Sequence, residues 1–399
     1  VRPSGRCART RRRSPTPACC TSSSTASPAS AAPTAAGASY IAARGPPSRG
    51  ARKVSHGATE VKTISNSKFE IPNPSLQISL VVPVRDEERS LSGLVSSIRA
   101  QTLQPDEVIL VDGGSIDRTV ELARELAAGD ERFRVVEAGE ASPGRGRNVG
   151  AAEASHPWLA FTDAGIGLDP EWLERLAEKV TEEPETDVVY GNFEPLTRTF
   201  FERCAAVAYV PPKTEREGAA LRGPSIASSL VRREVWRRAG GFPDLRAAED
   251  LIFMERVAAL GARTRWAPRA TVWWQLQPTL GRTFRKFALY SKHNVWAGRQ
   301  RFWHYGVARQ YALALPFVVL ALLHSAWWLA VPALGLAARA ARSVWRHREG
   351  RGLAWALNPW QLAGVLLVLL TIDLATFVGW ARALLTRPTG AAAEQGTAA

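Results

Sequence analysis

The chain is predicted to be an α/β domain on a parallel sheet, followed by membrane-spanning helices. Three observations predict this. Short apolar runs alternate with helix-periodic segments from residue 77 to residue 193. Acidic residues stand at the ends of three of those runs, at Asp86/Glu87, Asp112 and Asp163. Two long stretches near the C-terminus, 311–338 and 361–381, carry between them a single charged residue, Asp373. Alternating strands and helices with short connections fit a sheet covered on both faces.

"QISLVVPV" (77–84) is an apolar run of strand length. "RSLSGLVSSIRAQ" (89–101) places Leu91, Leu94, Val95 and Ile98 at helical spacing. "DEVILVDGG" (106–114) is the second strand, and Asp117 suits the cap of a helix over 118–128. "RFRVVEA" (132–138) is a third strand and "GRGRNVGAAEAS" (144–155) a helix. "PWLAFTDA" (157–164) is a fourth strand, and a helix over 170–182 starts on Pro170. "TDVVYGNF" (186–193) is a fifth strand and "LIFMERVAAL" (251–260) a helix. In open sheets of this kind ligands bind beyond the carboxyl ends of the strands, where the three sets of acids stand. A single acid there would read as a loop or cap residue; three at successive strand ends read as a site.

The C-terminal stretches meet the length of about 20 apolar residues that a bilayer crossing needs. The first is long for one span, so a hairpin turning near "HSAWW" (324–328) is expected, giving three spans in all. The basic loop between the stretches, with Arg339, Arg342, Arg346, Arg348 and Arg351, favours the cytoplasmic side. A multi-pass protein with a cytoplasmic catalytic body, in a bacterial plasma membrane, is expected. Asp373 is an intramembrane acid with no assigned role. Trp266, Trp273, Trp274, Trp296 and Trp303 suit interface anchors, and 284–296 suits a helix lying along the membrane.

Charge and cysteines exclude other classes. The chain has 399 residues, 51 Lys/Arg and 37 Asp/Glu, a net charge of +14. Ten of the basic residues and none of the acids fall in residues 1–59, so the body is only mildly basic and no nucleic-acid partner is expected. That segment is poor in large apolar residues and is expected to be disordered, as a targeting segment or as translated upstream sequence. Cys7, Cys19, Cys20 and Cys204 show no zinc or disulfide spacing. The expected layout is 1–75 disordered, 76–290 catalytic, 291–305 interfacial, 306–386 membrane and 387–399 a disordered tail.

Four motifs resemble those of the family 2 glycosyltransferases. "VVPVRDEE" (81–88) is similar to the family's first strand and Pro-x-x-Asn-Glu turn, with Asp86 for Asn. "VDGGSIDRT" (111–119) is similar to the Val-Asp-Asp-Gly-Ser signature, with Gly113 for the second Asp. "GRGRNVGA" (144–151) and "GGFPDLRAAEDLIFMERVAALG" (240–261) resemble the nucleotide-side segment and the Glu-Asp block. The resemblance runs from about Ile78 to Tyr290. It implies a GT-A fold, a Rossmann-like nucleotide-diphospho-sugar transferase domain, and inverting transfer from a nucleotide sugar, here a UDP-sugar, to a lipid or lipid-linked acceptor.

The resemblance also implies roles. Pro83, Val84, Arg85 and Glu87 would meet base and ribose, with Asp112 and Ser115 beside them. Arg145 would meet phosphate and Asn148 support the loop. Asp163 matches the first Asp of the family's Asp-x-Asp, with Ala164 next and Gly165 in place of the second Asp. A Mg²⁺ or Mn²⁺ ion there would bridge the diphosphate. The region where many relatives carry a downstream His reads "TVWWQLQ" (271–277) and has none, and a basic clamp from Arg282, Arg285 or Lys286 could take over charge neutralisation. Asp250 would be the general base and Glu249 would orient its loop.

Blander alternatives stay open: Asp112 as a turn acid, Arg145 as a solvated side chain, "AED" as a helix cap, and the clamp residues facing headgroups. A degenerate membrane protein that binds nucleotide sugar without turnover is the second functional reading. A dinucleotide enzyme is disfavoured by the lack of Gly-x-Gly-x-x-Gly after the first strand.

Overall fold

The computed structural model describes residues 76–216 and 218–386. The expectations for 1–75 and 387–399, with Cys7, Cys19 and Cys20, lie outside the described residues. Eight strands form one sheet in the order β3-β2-β1-β4-β9-β6-β10-β5. The strands are β1 (Ile78–Val84), β2 (Glu107–Asp112), β3 (Phe133–Glu137), β4 (Trp158–Phe161), β5 (Ile166–Leu168), β6 (Val188–Leu196), β9 (Ser229–Arg232) and β10 (Thr264–Gln275). A separate hairpin pairs β7 (Thr214–Arg216) with β8 (Ala219–Leu221).

The sheet is mixed, which corrects the expectation of a parallel one. β1 pairs in parallel with β2 and β4, and β6 with β10. β9 runs antiparallel between β4 and β6, and β5 antiparallel on the outer edge of β10. The expectation rested on the alternation up to residue 193. Within that range the three-residue β5 is too short to stand out, and beyond it the chain returns through a 3-10 turn over Ile226–Ser228, so that β9 enters the gap between β4 and β6 from the opposite end.

Strand residues alternate between two cores, as a sheet covered on both faces requires. Leu80, Val82, Val108 and Leu110 pack with α1 (Leu91–Arg99), α2 (Thr119–Ala127) and α4 (Trp172–Glu182). Val81, Ile109, Val111 and Leu159 pack with α3 (Pro143–Glu153), α6 (Arg233–Arg238) and α7 (Glu249–Ala259). Burying such a side chain is worth about 1.5–3 kcal/mol. The periodic residues Leu91, Leu94, Val95 and Ile98 are all buried.

The remaining helices are α5 (Phe200–Tyr209), α8 (Leu280–Trp296), α9 (His304–Leu323), α10 (Ala330–Arg346), α11 (Leu353–Ala356) and α12 (Pro359–Leu385). Among the described residues α9 and α12 are long and apolar enough to cross a membrane. The chain breaks at His324, passes through a 3-10 turn over Ala326–Leu329 and returns as α10. Both ends of this hairpin meet helices of the α/β body. Ser291 of α8 bonds His304 at 2.8 Å, while Ser343 and His347 reach the Val207 and Val210 carbonyls of α5 and the residue after it. The tip, Trp327, is 85% exposed.

α12 differs from α9. One of its faces packs along α5 and α8: Gly364 lies against Cys204, and Gly379 against Ala288 and Ser291. Asp373 is buried and takes a bidentate ion pair from Arg339 of α10, with the Tyr311 hydroxyl donating at 2.9 Å. Asp373 is thus paired across three helices, as an acid in an apolar surround must be. Two of the tryptophans expected at the interface pack inside the domain instead. Trp266 packs at a tilt against Tyr190 and lies under Arg216, and Trp274 packs on Phe193 and Tyr209.

Candidate active site

The turn after β1 is tied to the loop after β2. Asp86 has φ 57° and accepts from the Ile116 amide at 2.9 Å. The Asp86 amide donates to Ser115 Oγ and the Glu87 amide to Thr119 Oγ1. Asp112, at the end of β2, is buried and accepts from the Gly114 and Ser115 amides and the Ser115 hydroxyl. Its carboxylate builds the turn. Gly113 has a steric reason: a Cβ there would come within 2.9 Å of the Ala141 carbonyl oxygen. The second acid of the signature does not fit against this loop.

α3 starts at Ser142, whose hydroxyl accepts from the Arg145 amide. The Arg145 side chain is exposed and, among the described residues, reaches only the Glu140 carbonyl at 3.4 Å. Asn148 points the other way. It bonds both backbone groups of Phe242 and the Trp236 indole, and so holds "GGF" onto α3. Arg85 lies 3.7 Å from Glu140.

Sequence reasoning passed over the second arginine of "GRGRN". Arg147 is buried at 4% exposure and aims under the sheet edge. Its Nη1 donates to Glu249 Oε1 at 2.9 Å and its Nη2 to Asp163 Oδ1, with the guanidinium 5.4 Å from the Phe242 ring. Asp250 feels the same positive charge. One arginine therefore gathers Asp163 from the β4 end and the Glu249–Asp250 pair from the start of α7. The signal was the imbalance itself: three acids at one edge need a buried cation.

Electrostatics follow from this packing. Burial and then Asp250 push the Glu249 carboxyl up, against the pull of Arg147. Burial also raises Asp250, with Arg147 opposing and Asp163 adding to the rise. The Glu249–Asp250 step is reached through Ala248 in the left-handed region, φ 71°, a conformation that costs a non-glycine residue about 1–3 kcal/mol. Asp250 Oδ1 accepts from the Leu251 amide at 2.8 Å, which leaves Oδ2 for other partners.

Glu87 sits across from Gly165. A Cβ on Gly165 would lie 3.6 Å from Glu87 Oε2, and Gly165 has φ 75°. The Glu87 carboxyl occupies the side from which an acid at 165 would project. Burial raises its pKa, Ser90 opposes, and Asp117, Asp163 and Asp86 raise it further. The described residues include no group of three or more His, Cys, Asp or Glu arranged to hold a metal ion. The oxygens here, from Asp163 and Glu87, are nonetheless of the hard type that Mg²⁺ and Mn²⁺ prefer.

The wall opposite Asp163 comes from α8. Lys286 and Tyr290, one turn apart, face inward, while Arg282 and Arg285 are exposed. Lys286 Nζ lies 4.8 Å from the Trp274 ring and 5.4 Å from the Tyr290 ring. Tyr290 senses Glu249, Asp250, Asp163 and Arg147, and burial pushes its hydroxyl pKa up.

Residues 79–218 match the family model described as glycosyl transferase family 2. The chain carries a family 2 glycosyltransferase domain. Its α/β GT-A architecture is the one the resemblance implied. The chain is 28% identical over 194 residues to the uncharacterized glycosyltransferase EpsJ of Bacillus subtilis, covering 44% of this chain and 54% of that one. It is 28% identical over 192 residues to the glycosyltransferase AglE of Haloferax volcanii, covering 46% and 62%. The aligned part thus spans roughly half the length of these relatives. Among solved structures it is similar to the mannosyltransferase PcManGT of Pyrobaculum calidifontis in complex with GDP-Man and Mn²⁺ (19% identity, 75% and 87% coverage, TM-score 0.46).

Proposed function

We propose that this glycosyltransferase domain transfers a sugar, with inversion, from a nucleotide-sugar donor to a lipid or lipid-linked acceptor at the cytoplasmic membrane face. The single observation that carries the reading is the gathering of Asp163, Glu249 and Asp250 around Arg147 at one sheet edge. The family match supports a nucleotide-sugar donor, and a UDP-sugar is our first choice.

The residues then divide the work. The turn of Pro83, Val84, Arg85 and Glu87, with Asp112 and Ser115, lines the base and ribose end. Asp250 takes the proton of the acceptor hydroxyl. The hydroxyl oxygen bonds to the anomeric carbon as the bond to the diphosphate oxygen breaks, and that oxygen leaves with the electron pair. A carboxylate with a raised pKa is a better base for this step. Glu249, paired with Arg147, positions Asp250. Asp163 and Glu87 would hold Mg²⁺ or Mn²⁺, which would neutralise charge on the leaving nucleoside diphosphate. Ala164 lies beside that end of the donor. Arg145 and Asn148 stand further out, as a surface cation and a loop support.

Membrane attachment is supported by α9, whose apolar side chains Leu313, Leu315, Leu322 and Leu323 are exposed, and by the outer face of α12. Arg342, Arg346 and Arg348 lie near the end of α10 that meets α5, which supports a basic loop and a catalytic body on one side of the membrane.

The test is thermal stabilisation of the detergent-purified chain by UDP, GDP and CDP, each with and without Mn²⁺. A ligand at a hundred times its dissociation constant adds about 2.7 kcal/mol to the folded state. One nucleoside diphosphate should raise Tm. Failure of all three would remove the reading.

A further inference from the structure

Three basic residues of "GRTFRK" could serve the site, and the fold separates them. Thr279 caps α8 by accepting from the Arg282 amide, which fixes the helix phase. Arg282 and Arg285 then point to the outside, and Lys286 points in. Its neighbours are defined. Trp274 pairs with Ile166 across the β10–β5 ladder, and Ile166 follows Gly165 and comes three residues after Asp163. Lys286 lies over that indole and under Tyr290, one turn on.

Lys286 has no hydrogen bond and no ion pair among the described residues. Burial lowers its pKa to about 8, with Asp163 pulling it back up. A half-buried ammonium held by ring faces alone keeps three N–H donors unused. Arg147, by contrast, is committed to two carboxylates. The edge holds Glu87, Asp163, Glu249 and Asp250, a field that repels an anion. A diphosphate entering beside Asp163 needs a cation that is not already paired.

We propose that Lys286 is the donor-binding residue that grips the diphosphate, reaching it from α8 on the side of Gly165. This rests on the nucleotide-sugar reading above. It also gives α8 a double role: its Ala288 and Ser291 side is docked on α12, and its Lys286 and Tyr290 side closes the site.

The test compares wild type, Lys286→Gln and Lys286→Arg. Affinities for UDP, GDP and CDP, and for the matching nucleosides uridine, guanosine and cytidine, are measured by calorimetry on the full chain with and without Mn²⁺. For whichever diphosphate binds wild type, Lys286→Gln should weaken it about tenfold or more, the scale of one charge-assisted bond. Nucleoside affinity should stay unchanged, and Lys286→Arg should restore most of the loss. A Lys286 that only packs against Trp274 would weaken nucleoside and diphosphate alike, or neither, and either result overturns the proposal. A Lys that instead serves an acceptor phosphate would leave the diphosphate affinity of Lys286→Gln at the wild-type value, which also overturns it. If no diphosphate binds wild type, the donor reading itself falls and takes this assignment with it.

Discussion

Replacing Arg147 by Met removes the cation that pairs with both Asp163 and Glu249. Removing one partner of a buried ion pair costs about 3–5 kcal/mol, because the other charge is left unpaired. Glu249, 6% exposed, carries most of that penalty, while Asp163, with a side chain 38% exposed, is partly screened by water. The cation–π contact with Phe242 adds about 0.5–2 kcal/mol. For a domain of this size 1 kcal/mol moves Tm by about 2–4 °C, so Arg147→Met should lower Tm by about 7–28 °C. The defect should depend on pH. Without the guanidinium, the folded-state pKa values of Glu249 and Asp250 rise further above their unfolded values. The folded state then holds protons that the unfolded state releases, so stability is lost as pH rises through those pKa values. The fall in Tm should be smaller at pH 5.5 than at pH 8. Differential scanning fluorimetry of both proteins across that range makes the comparison. A variant within 2 °C of wild type, or a defect that grows towards acid pH, would refute the hub.

Further outcomes follow from the same packing. Gly113→Asp restores the second acid of the signature but drives a side chain into the Ala141 carbonyl, and overpacking of this kind costs about 1–3 kcal/mol; a variant as stable as wild type in urea denaturation would show that the loop has room. Asp373→Asn leaves Arg339 unpaired among apolar helices and should destabilise by about 3–5 kcal/mol, and the double variant with Arg339→Met should recover part of the loss; equal Tm values for wild type and single variant would deny the clamp. Diphosphate affinity should fall as pH rises through about 8, because the protonated Lys286 is the binding form and Asp163 is the facing charge that favours it. Tyr290, with its pKa pushed up, stays neutral over that range, so Lys286→Arg should flatten the profile.

Much of the fold was legible because it is periodic. The strands at 78–84, 107–112, 133–137 and 158–161 and the helix face of Leu91, Leu94, Val95 and Ile98 all repeat a local signal. Direction is not a local signal. β9 and β5 have four and three residues, and nothing in "SLVR" or "IGL" says which neighbours they take. The acids of the site were readable from their places at strand ends. Arg147 was not, since its partners lie 16 and 102 residues away in sequence and its neighbour Arg145 looks the same on paper. Likewise only the phase of α8 separates Lys286 from Arg282 and Arg285. Gly113 and Gly165 read as missing acids in the sequence. In the fold one is where the Ala141 carbonyl packs and the other is where Glu87 faces.

The most direct measurement is sugar transfer from UDP- and GDP-sugars, labelled in the sugar, into membrane lipid extract by wild type and Asp250→Asn, with diphosphate binding measured alongside. Loss of a general base typically costs about 10²–10⁴ in rate. Wild type should label the lipid fraction, and Asp250→Asn should bind the diphosphate as wild type does while its transfer falls by about that factor. Equal rates for the two proteins, or diphosphate binding by wild type with no transfer to any lipid, would contradict the assignment of an inverting transferase that works through Asp250.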